Sequence, residues 1–331
     1  MNPLNPYAAA RDRAGMVDFG TRGRIVVRGA DRKTFLHALL TNDIALLRPG
    51  TGCYAALLTP QGRIIADMNV FELGDAMLVD ARREVKDVLL LRFDQLIFSE
   101  DVQLGDVSDA WGCIGLYGPR AAEIAGGVVG ADLAGFGNFQ NARLESGGAL
   151  VIAARRDALG LTGFLLFAPA DAISRLGLAM QAAGAAVLPA GTAEALRIEA
   201  GEPAFLVDMD DGTIPTEAGI DASAVSYLKG CFPGQEVLVR IRDRGHGKVI
   251  RKLVGLTIDG EAAPAAGSAI FGGEKEIGHV TSSVISPALG KPIALGYVHR
   301  DFVEPGTAVA VVAGDGRLTA TVTEVPFVRP R

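Results

Sequence analysis

The chain has 331 residues and carries 32 basic against 38 acidic side chains, a net charge of −6 at neutral pH. That excess of acid argues against a protein whose main work is coating nucleic acid or another polyanion, although it leaves room for a local basic patch. With 49% apolar and 21% charged residues, a packed core is expected and global disorder is not, and the length suggests two or three domains.

Along the chain, Ile25 to Arg28 reads as a strand, and Asp31 is placed to cap a helix with Phe35, Leu36, Leu39 and Leu40 on one face. Pro60-Gln61-Gly62 is turn chemistry, followed by strands over 63–71 and 77–80 and a helix carrying Val85, Val88, Leu89 and Phe93. A strand over 111–117 stops at Gly118-Pro119, and the glycines from Gly126 to Gly137 read as a loop. Strands at 150–154 and 164–167 precede a helix over 171–183 and a shorter one over 192–200, capped by Thr192 and ended by Gly201. Strand pairs mixed with helices favour α+β layers over a doubly wound parallel sheet.

After residue 250 the texture changes. Short β-like runs at 253–258, 268–271, 278–283, 293–298, 308–312 and 318–323 are separated by Gly, Pro and Asp, as in a small antiparallel barrel or sandwich. The expected division is 1–250, built of two intertwined α+β subdomains, and 251–331, a C-terminal β-barrel.

Cys53, Cys113 and Cys231 lie far apart with no Cys-x-x-Cys pair, so neither a disulfide framework nor a self-contained metal site is expected, and a reducing compartment is. The N-terminal twenty residues, broken by Pro3, Pro6, Arg11, Asp12 and Arg13, do not read as a signal peptide. The uncharged stretch 176–193, rich in Ala and Gly, is too polar to span a bilayer. These features point to a soluble cytoplasmic protein without membrane contact.

The most unusual segment is Lys229-Gly230-Cys231-Phe232-Pro233-Gly234-Gln235-Glu236. Its glycines and proline put Cys231 on a bend just ahead of a helix from Gln235, whose free N–H groups and dipole would favour a thiolate. The competing reading is an inert packing cysteine. Downstream, Arg240, Arg242, Arg244, His246 and Lys248 form a basic stretch able to hold an anion or a partner, or simply a solvated face. Glu199, near a helix end, suits a ligand with adjacent N–H donors, although a glutamate on a helix is usually exposed and structural.

The 229–236 segment resembles the signature of the YgfZ-type folate-binding proteins, relatives of the aminomethyltransferase (T-protein) of the glycine cleavage system. Further segments follow in that superfamily's order: 14–18, 35–43, Gly118-Pro119, 196–201, Ile214-Pro215 and 277–282. The resemblance implies a T-protein-like fold around a central channel that holds tetrahydrofolate, with a C-terminal antiparallel barrel. It makes Glu199 the pterin-binding carboxylate, carries Asp67 and Arg197 along as folate-site residues, and puts Cys231 at the channel rim as a functional thiol, either a nucleophile or a transient ligand. Lys229, Gly230, Gly234, Gln235 and Glu236 complete the signature loop.

Two departures bear on the reaction. Where T-proteins carry Asp-Asp, this chain has Ala66-Asp67, and Gly160-Leu161-Thr162-Gly163-Phe164 lacks the Tyr and Glu of Gly-Tyr-Thr-Gly-Glu. The expected function is therefore a tetrahydrofolate-binding accessory protein for iron–sulfur cluster assembly or repair, with assembly proteins or client enzymes such as tRNA-thiolating enzymes as partners and no direct nucleic-acid binding. The alternative is a folate-dependent aminomethyltransferase.

Overall fold

The computed structural model describes residues 5–245, 247–314 and 316–329. Helix α1 (Pro6–Asp12) is followed by strands β1 (Gly15–Asp18) and β2 (Gly23–Arg28), helix α2 (Arg32–Leu39), strands β3 (Thr51–Leu58), β4 (Ile64–Glu72) and β5 (Met77–Ala81), helix α3 (Arg83–Asp94), and strands β6 (Gln103–Asp106) and β7 (Trp111–Tyr117). Then come α4 (Ala121–Val129), β8 (Asn141–Ser146), β9 (Ala149–Arg155), β10 (Gly163–Pro169), α5 (Ala170–Ala182), β11 (Ala186–Val187) and α6 (Ala190–Ala200). Three shorter helices follow: α7 (Pro215–Ala218), α8 (Asp221–Ala224) and α9 (Gln235–Asp243).

The first five-stranded sheet runs β3-β4-β5-β2-β6, and a six-stranded sheet runs β11-β1-β7-β10-β9-β8. Helices α2 and α3 cover one face of the five-stranded sheet, where Phe35, Leu36, Leu89 and Phe93 meet Ile25, Ala66, Val70 and Val79. Helices α4 and α5 cover one face of the other sheet through Ile124, Ala125, Leu176 and Met180. The two remaining faces pack on each other through Phe71, Leu78, Cys113, Ile152 and Phe167. The rings of Phe71 and Phe167 stand 5.8 Å apart, edge to face. The result is a helix–sheet–sheet–helix stack, with a cavity between the sheets.

The rest of the chain forms a closed antiparallel barrel from β12 (Arg251–Ile258), β13 (Ala269–Gly272), β14 (Lys275–Ser286), β15 (Lys291–His299), β16 (Ala308–Ala313) and β17 (Gly316–Thr323), in the order β12-β15-β14-β13-β16-β17. Alternate residues such as Leu256, Ile270, Val280, Val311 and Val322 fill it. Closure removes the free edges that an open sheet of this length would expose. Asp208 fastens the barrel to the layers: one oxygen accepts from Thr281 and Ser282 hydroxyls at 2.6 Å each, the other from Arg197 at 2.6 Å and the Ala204 amide at 2.9 Å.

Three local expectations need correcting. Asp31 does precede α2, but its side chain caps no amide of that helix; its carboxylate accepts from the Asp101 amide at 2.8 Å. The last helix of the layered region starts after Pro189, so Thr192 lies inside α6 rather than at its cap; Gly201, at φ 70°, ends it as expected. Gly126 and Gly127 belong to α4, whose left-handed stop is Gly130. Gly126 is buried, and a Cβ there would stand 2.5 Å from the Ala131 carbonyl, so the tight turn after α4 requires glycine inside the helix. Among the described residues no helix is long and apolar enough to cross a membrane.

Candidate functional site

A cavity of about 420 Å³ opens between the two sheets and the loops that join them. The five-stranded sheet supplies Tyr54, Asp67, Asn69 and Asp80, the other sheet supplies Tyr117 and Leu165, and the loops bring Phe139, Arg156 and Glu202. Strand geometry decides which side chains arrive. Successive residues of β4 point to opposite faces, so Asp67 and Asn69 face the cavity while Ala66 and Val70 enter the core beneath α2 and α3.

The Tyr54 hydroxyl donates to Asp67 Oδ2 at 2.7 Å. Burial, reinforced by the neighbouring Asp67 charge, holds the Tyr54 hydroxyl well above its ordinary range, so it stays a proton donor at neutral pH. Among the described residues no other hydrogen bond reaches the Asp67 carboxylate, which leaves its second oxygen for a ligand. Arg22 Nε holds Asp80 in a forked bond of 3.0 and 2.9 Å, and Asn69 Nδ2 adds a third bond to Asp80 at 3.2 Å. Burial opposes the Arg22 charge, but Asp80 outweighs it and keeps the guanidinium above its usual range.

Arg156 Nε donates to Asn69 Oδ1 at 3.0 Å, and its guanidinium lies 5.8 Å from the Tyr54 ring centre and 5.1 Å from that of Phe139. Glu202 braces the turn before β10, accepting from the amides of Leu159 at 3.0 Å and Gly160 at 3.1 Å. Aromatic walls around one tyrosine-held carboxylate suit a flat heterocycle that presents N–H donors, and a carboxylate with one open oxygen is equipped for general acid–base work.

The sequence-derived candidates divide sharply. Asp67 lines the cavity. Arg197 lines it too, but its guanidinium is already committed to Glu194, Asp208 and the Glu202 carbonyl. Glu199 is a correction: it is absent from the cavity wall, 1% exposed, and its carboxylate accepts from the Tyr7 hydroxyl, the Ser286 hydroxyl and the Ala288 amide. It faces α1 and the barrel because α6 turns its other side to the cavity, so its role is to tie these elements together.

The signature loop is a second correction. Cys231 is exposed and does not line the cavity, nor do Lys229, Gly230, Gly234, Gln235 or Glu236. Phe232 and Leu238 enter the core of the five-stranded sheet, and a Cβ on Gly62 would meet Val237 at 3.2 Å, so the loop and α9 pack at the turn between β3 and β4. A nucleophilic role for this thiol inside the cavity is therefore set aside. Lys229 anchors the loop by donating to the carbonyls of His37 and Leu40 at the end of α2. Burial presses its ammonium down to about 8, against the opposing pull of Asp43 and Cys53. Gly234 starts α9 at φ 82°, and a Cβ there would lie 2.6 Å from the Thr59 carbonyl.

In the basic stretch, Arg240, Arg244 and Lys248 are exposed, whereas Arg242 pairs with Asp243 and lies 4.2 Å from the Tyr227 ring centre. His246 lies outside the described residues. Sequence reasoning missed Tyr54, Arg156, Glu202 and Arg82. Tyr54 carried a faint signal, because Thr51 to Leu58 is a β-like run; the other three lie in or beside loops where no periodicity marks an inward side.

Comparisons with known proteins bear on this arrangement. The GCVT N-terminal domain family matches residues 5–227, and the glycine cleavage T-protein C-terminal barrel domain family matches residues 251–329. An aminomethyltransferase of Geobacillus kaustophilus is 33% identical over 98% of this chain and 89% of its own length. Another, from Rubrobacter xylanophilus, is 32% identical over 98% of this chain and 85% of its own. The crystal structure of glycine cleavage system aminomethyltransferase T from Bartonella henselae superposes with a TM-score of 0.90 at 23% identity, over 99% of this chain and 91% of that one, a likeness of fold.

Proposed function

Because the chain belongs to the glycine cleavage T-protein family, we propose that it binds tetrahydrofolate in the cavity between its sheets and carries out one-carbon transfer of the aminomethyltransferase kind. The observation that carries this reading is the Tyr54–Asp67 pair facing the cavity. The absence of a second acid at Ala66 weighs little against it, since that position points into the core and would not reach a cavity ligand. Nor does Phe164, which is buried beneath α4 and α5.

The residues present fit a reduced folate. Tyr54, Tyr117 and Phe139 would flank its rings, and Asp67 would accept from its N–H donors. When bound, the folate supplies the nitrogens that take up a one-carbon unit. Asp67 holds and moves a proton at its open oxygen, Tyr54 fixes which oxygen is open, and the packed sheets keep water from the cavity floor.

The test is direct. Purified protein, tetrahydrofolate and an aminomethylated dihydrolipoyl carrier should yield methylenetetrahydrofolate, ammonia and the carrier with its thiol freed, and Asp67→Asn should bind folate in calorimetry while losing most of that turnover. Folate binding without turnover in the unaltered protein would sink the transfer reading.

One observation favours a second reading: Cys231 stands exposed on an anchored loop, followed by the exposed cations Arg240 on α9 and Arg244 and Lys248 after its end. In this reading the protein binds folate and supports iron–sulfur enzymes, tRNA-thiolating ones among them, with Cys231 as one transient ligand and an assembly protein or client supplying the rest, because one thiolate cannot hold a cluster. Three free cysteines agree with a reducing compartment such as the cytoplasm. Cys231→Ala should then abolish support of iron–sulfur enzymes in cells and leave folate affinity unchanged.

A further inference from the structure

Of the four arginines on the cavity wall, three are spoken for. Arg22 is forked onto Asp80, Arg156 is bonded to Asn69 and the Asp157 carbonyl, and Arg197 is held by Glu194, Asp208 and the Glu202 carbonyl. Arg82 differs. Its Nε is buried with no partner among the described residues, where its one ion pair runs from an NH2 group to Glu84 at 3.2 Å, a carboxylate that is itself 56% exposed. A guanidinium presents Nε and one NH2 as a parallel pair that matches a carboxylate, and here half of that fork is empty while the other half holds a weak, solvent-facing substitute. A buried donor left unpaired asks for an acceptor that arrives with a ligand.

The position of Arg82 says which part of a ligand it would meet. It follows β5 directly, one step beyond the Met68–Ala81 pair, on the flank of the sheet where Asp67 stands in the neighbouring strand. Its side chain is 30% exposed, which puts it at the mouth of the cavity rather than on its floor. A free small anion gains little there, with Asp67, Asp80 and Glu202 on the same wall. An anion tethered to a ring system already seated in the cavity avoids that penalty, because the rest of the molecule positions it.

We infer that Arg82 receives a carboxylate of the glutamate tail of a reduced folate, displacing Glu84, and so makes the site selective for glutamylated over tail-less forms. This inference rests on the folate reading given above. Glu84 then acts as a placeholder that keeps the guanidinium at the mouth until the ligand arrives.

The test is calorimetric titration of the full chain with tetrahydropteroyl monoglutamate, its triglutamate, and tetrahydropteroate, which has no glutamate. Unaltered protein should bind the glutamylated forms at least about tenfold more tightly than tetrahydropteroate. Arg82→Met should shrink that ratio below about threefold by weakening only the glutamylated forms. Glu84→Gln, an exposed change away from the core, should widen the ratio by removing the competing carboxylate. An Arg82→Met protein that keeps the full ratio, or weakens all three ligands equally, overturns the inference, and so does a ratio unchanged or narrowed in Glu84→Gln. Failure of unaltered protein to bind any of the three overturns the folate reading itself, a different outcome from binding all three alike, which removes only the role of Arg82.

Discussion

Tyr54 on β3 reaches across to Asp67 on β4 and donates a hydrogen bond from its hydroxyl to one carboxylate oxygen at 2.7 Å, leaving the other without a partner among the described residues. Both side chains come from the same sheet face, so neither can be replaced by a neighbour one residue away in sequence. Tyr54→Phe should leave the fold intact and lower one-carbon transfer roughly 10-fold or more, because Asp67 loses the donor that orients it; Asp67→Asn should cost about 10²–10⁴. Single-turnover assays with both variants, alongside folate calorimetry, check the split between binding and chemistry.

Ala66→Asp offers a complementary test of strand direction. Restoring an acid there should add nothing to folate affinity and should destabilise the protein by about 3–5 kcal/mol, since the new carboxylate would be buried without a partner under α2 and α3. Urea melts and calorimetry measure both. A gain in affinity at unchanged stability would mean that β4 faces the other way.

Glu199→Ala should act on stability rather than on ligand. It leaves the Tyr7 and Ser286 hydroxyls and the Ala288 amide without their acceptor, a loss of about 2–4 kcal/mol for the group. Protease nicking near α1 should rise, while the folded fraction keeps its folate affinity. A large loss of affinity with normal melting would return this carboxylate to the ligand site.

The buried ammonium of Lys229 makes stability depend on pH. Its folded value, about 8, lies below the ordinary lysine value of 10.5, so between those limits the unfolded chain binds more protons than the folded one. Stability conferred through this group is thus present above the unfolded value and lost as pH falls through 8. Measured against Lys229→Met, the unaltered protein should gain on the order of 1 kcal/mol between pH 8 and 10.5, reduced from the full shift by partial solvent screening. Denaturant melts of both proteins at several pH values across that window give the comparison; parallel curves would show that the ammonium is not held as described.

Cys231→Ala should be silent in melting and in folate calorimetry, because the thiol is exposed and touches neither core nor cavity. Alkylation by a water-soluble maleimide should be complete at Cys231 under native conditions and absent at buried Cys113, whose thiol is held far above its usual range by burial.

Much of the architecture was legible in the chain itself. The strand over Trp111–Tyr117, the stop at Gly201 and the six barrel strands all follow from patterns only a few residues long: alternation of apolar side chains, turn residues at fixed spacing, glycine where the backbone must turn left-handed. Strands β6 and β8 escaped notice because β6 is four residues long with one apolar side chain, and the alternation of β8 rests on Ala142 and Leu144 alone.

The site obeyed different rules. A strand's alternation says that Ala66 and Asp67 point opposite ways, but which of them meets a cavity depends on which face of the sheet is covered by helices and which by the second sheet. The motif around Cys231 announced itself by composition, yet its place was settled by Phe232 and Leu238 entering the core and by the packing of Gly234 and Val237 against the turn between β3 and β4. Glu199 stands among apolar helix neighbours and was free, on local grounds, to serve either a ligand or a neighbouring element; only the arrival of α1 and the barrel hairpin beside it decided for the latter. Local patterns specify periodicity, and periodicity is blind to which partner a face will find, because that choice is made by segments distant in sequence, such as Tyr7 at 192 residues and Ser286 at 87 residues from Glu199.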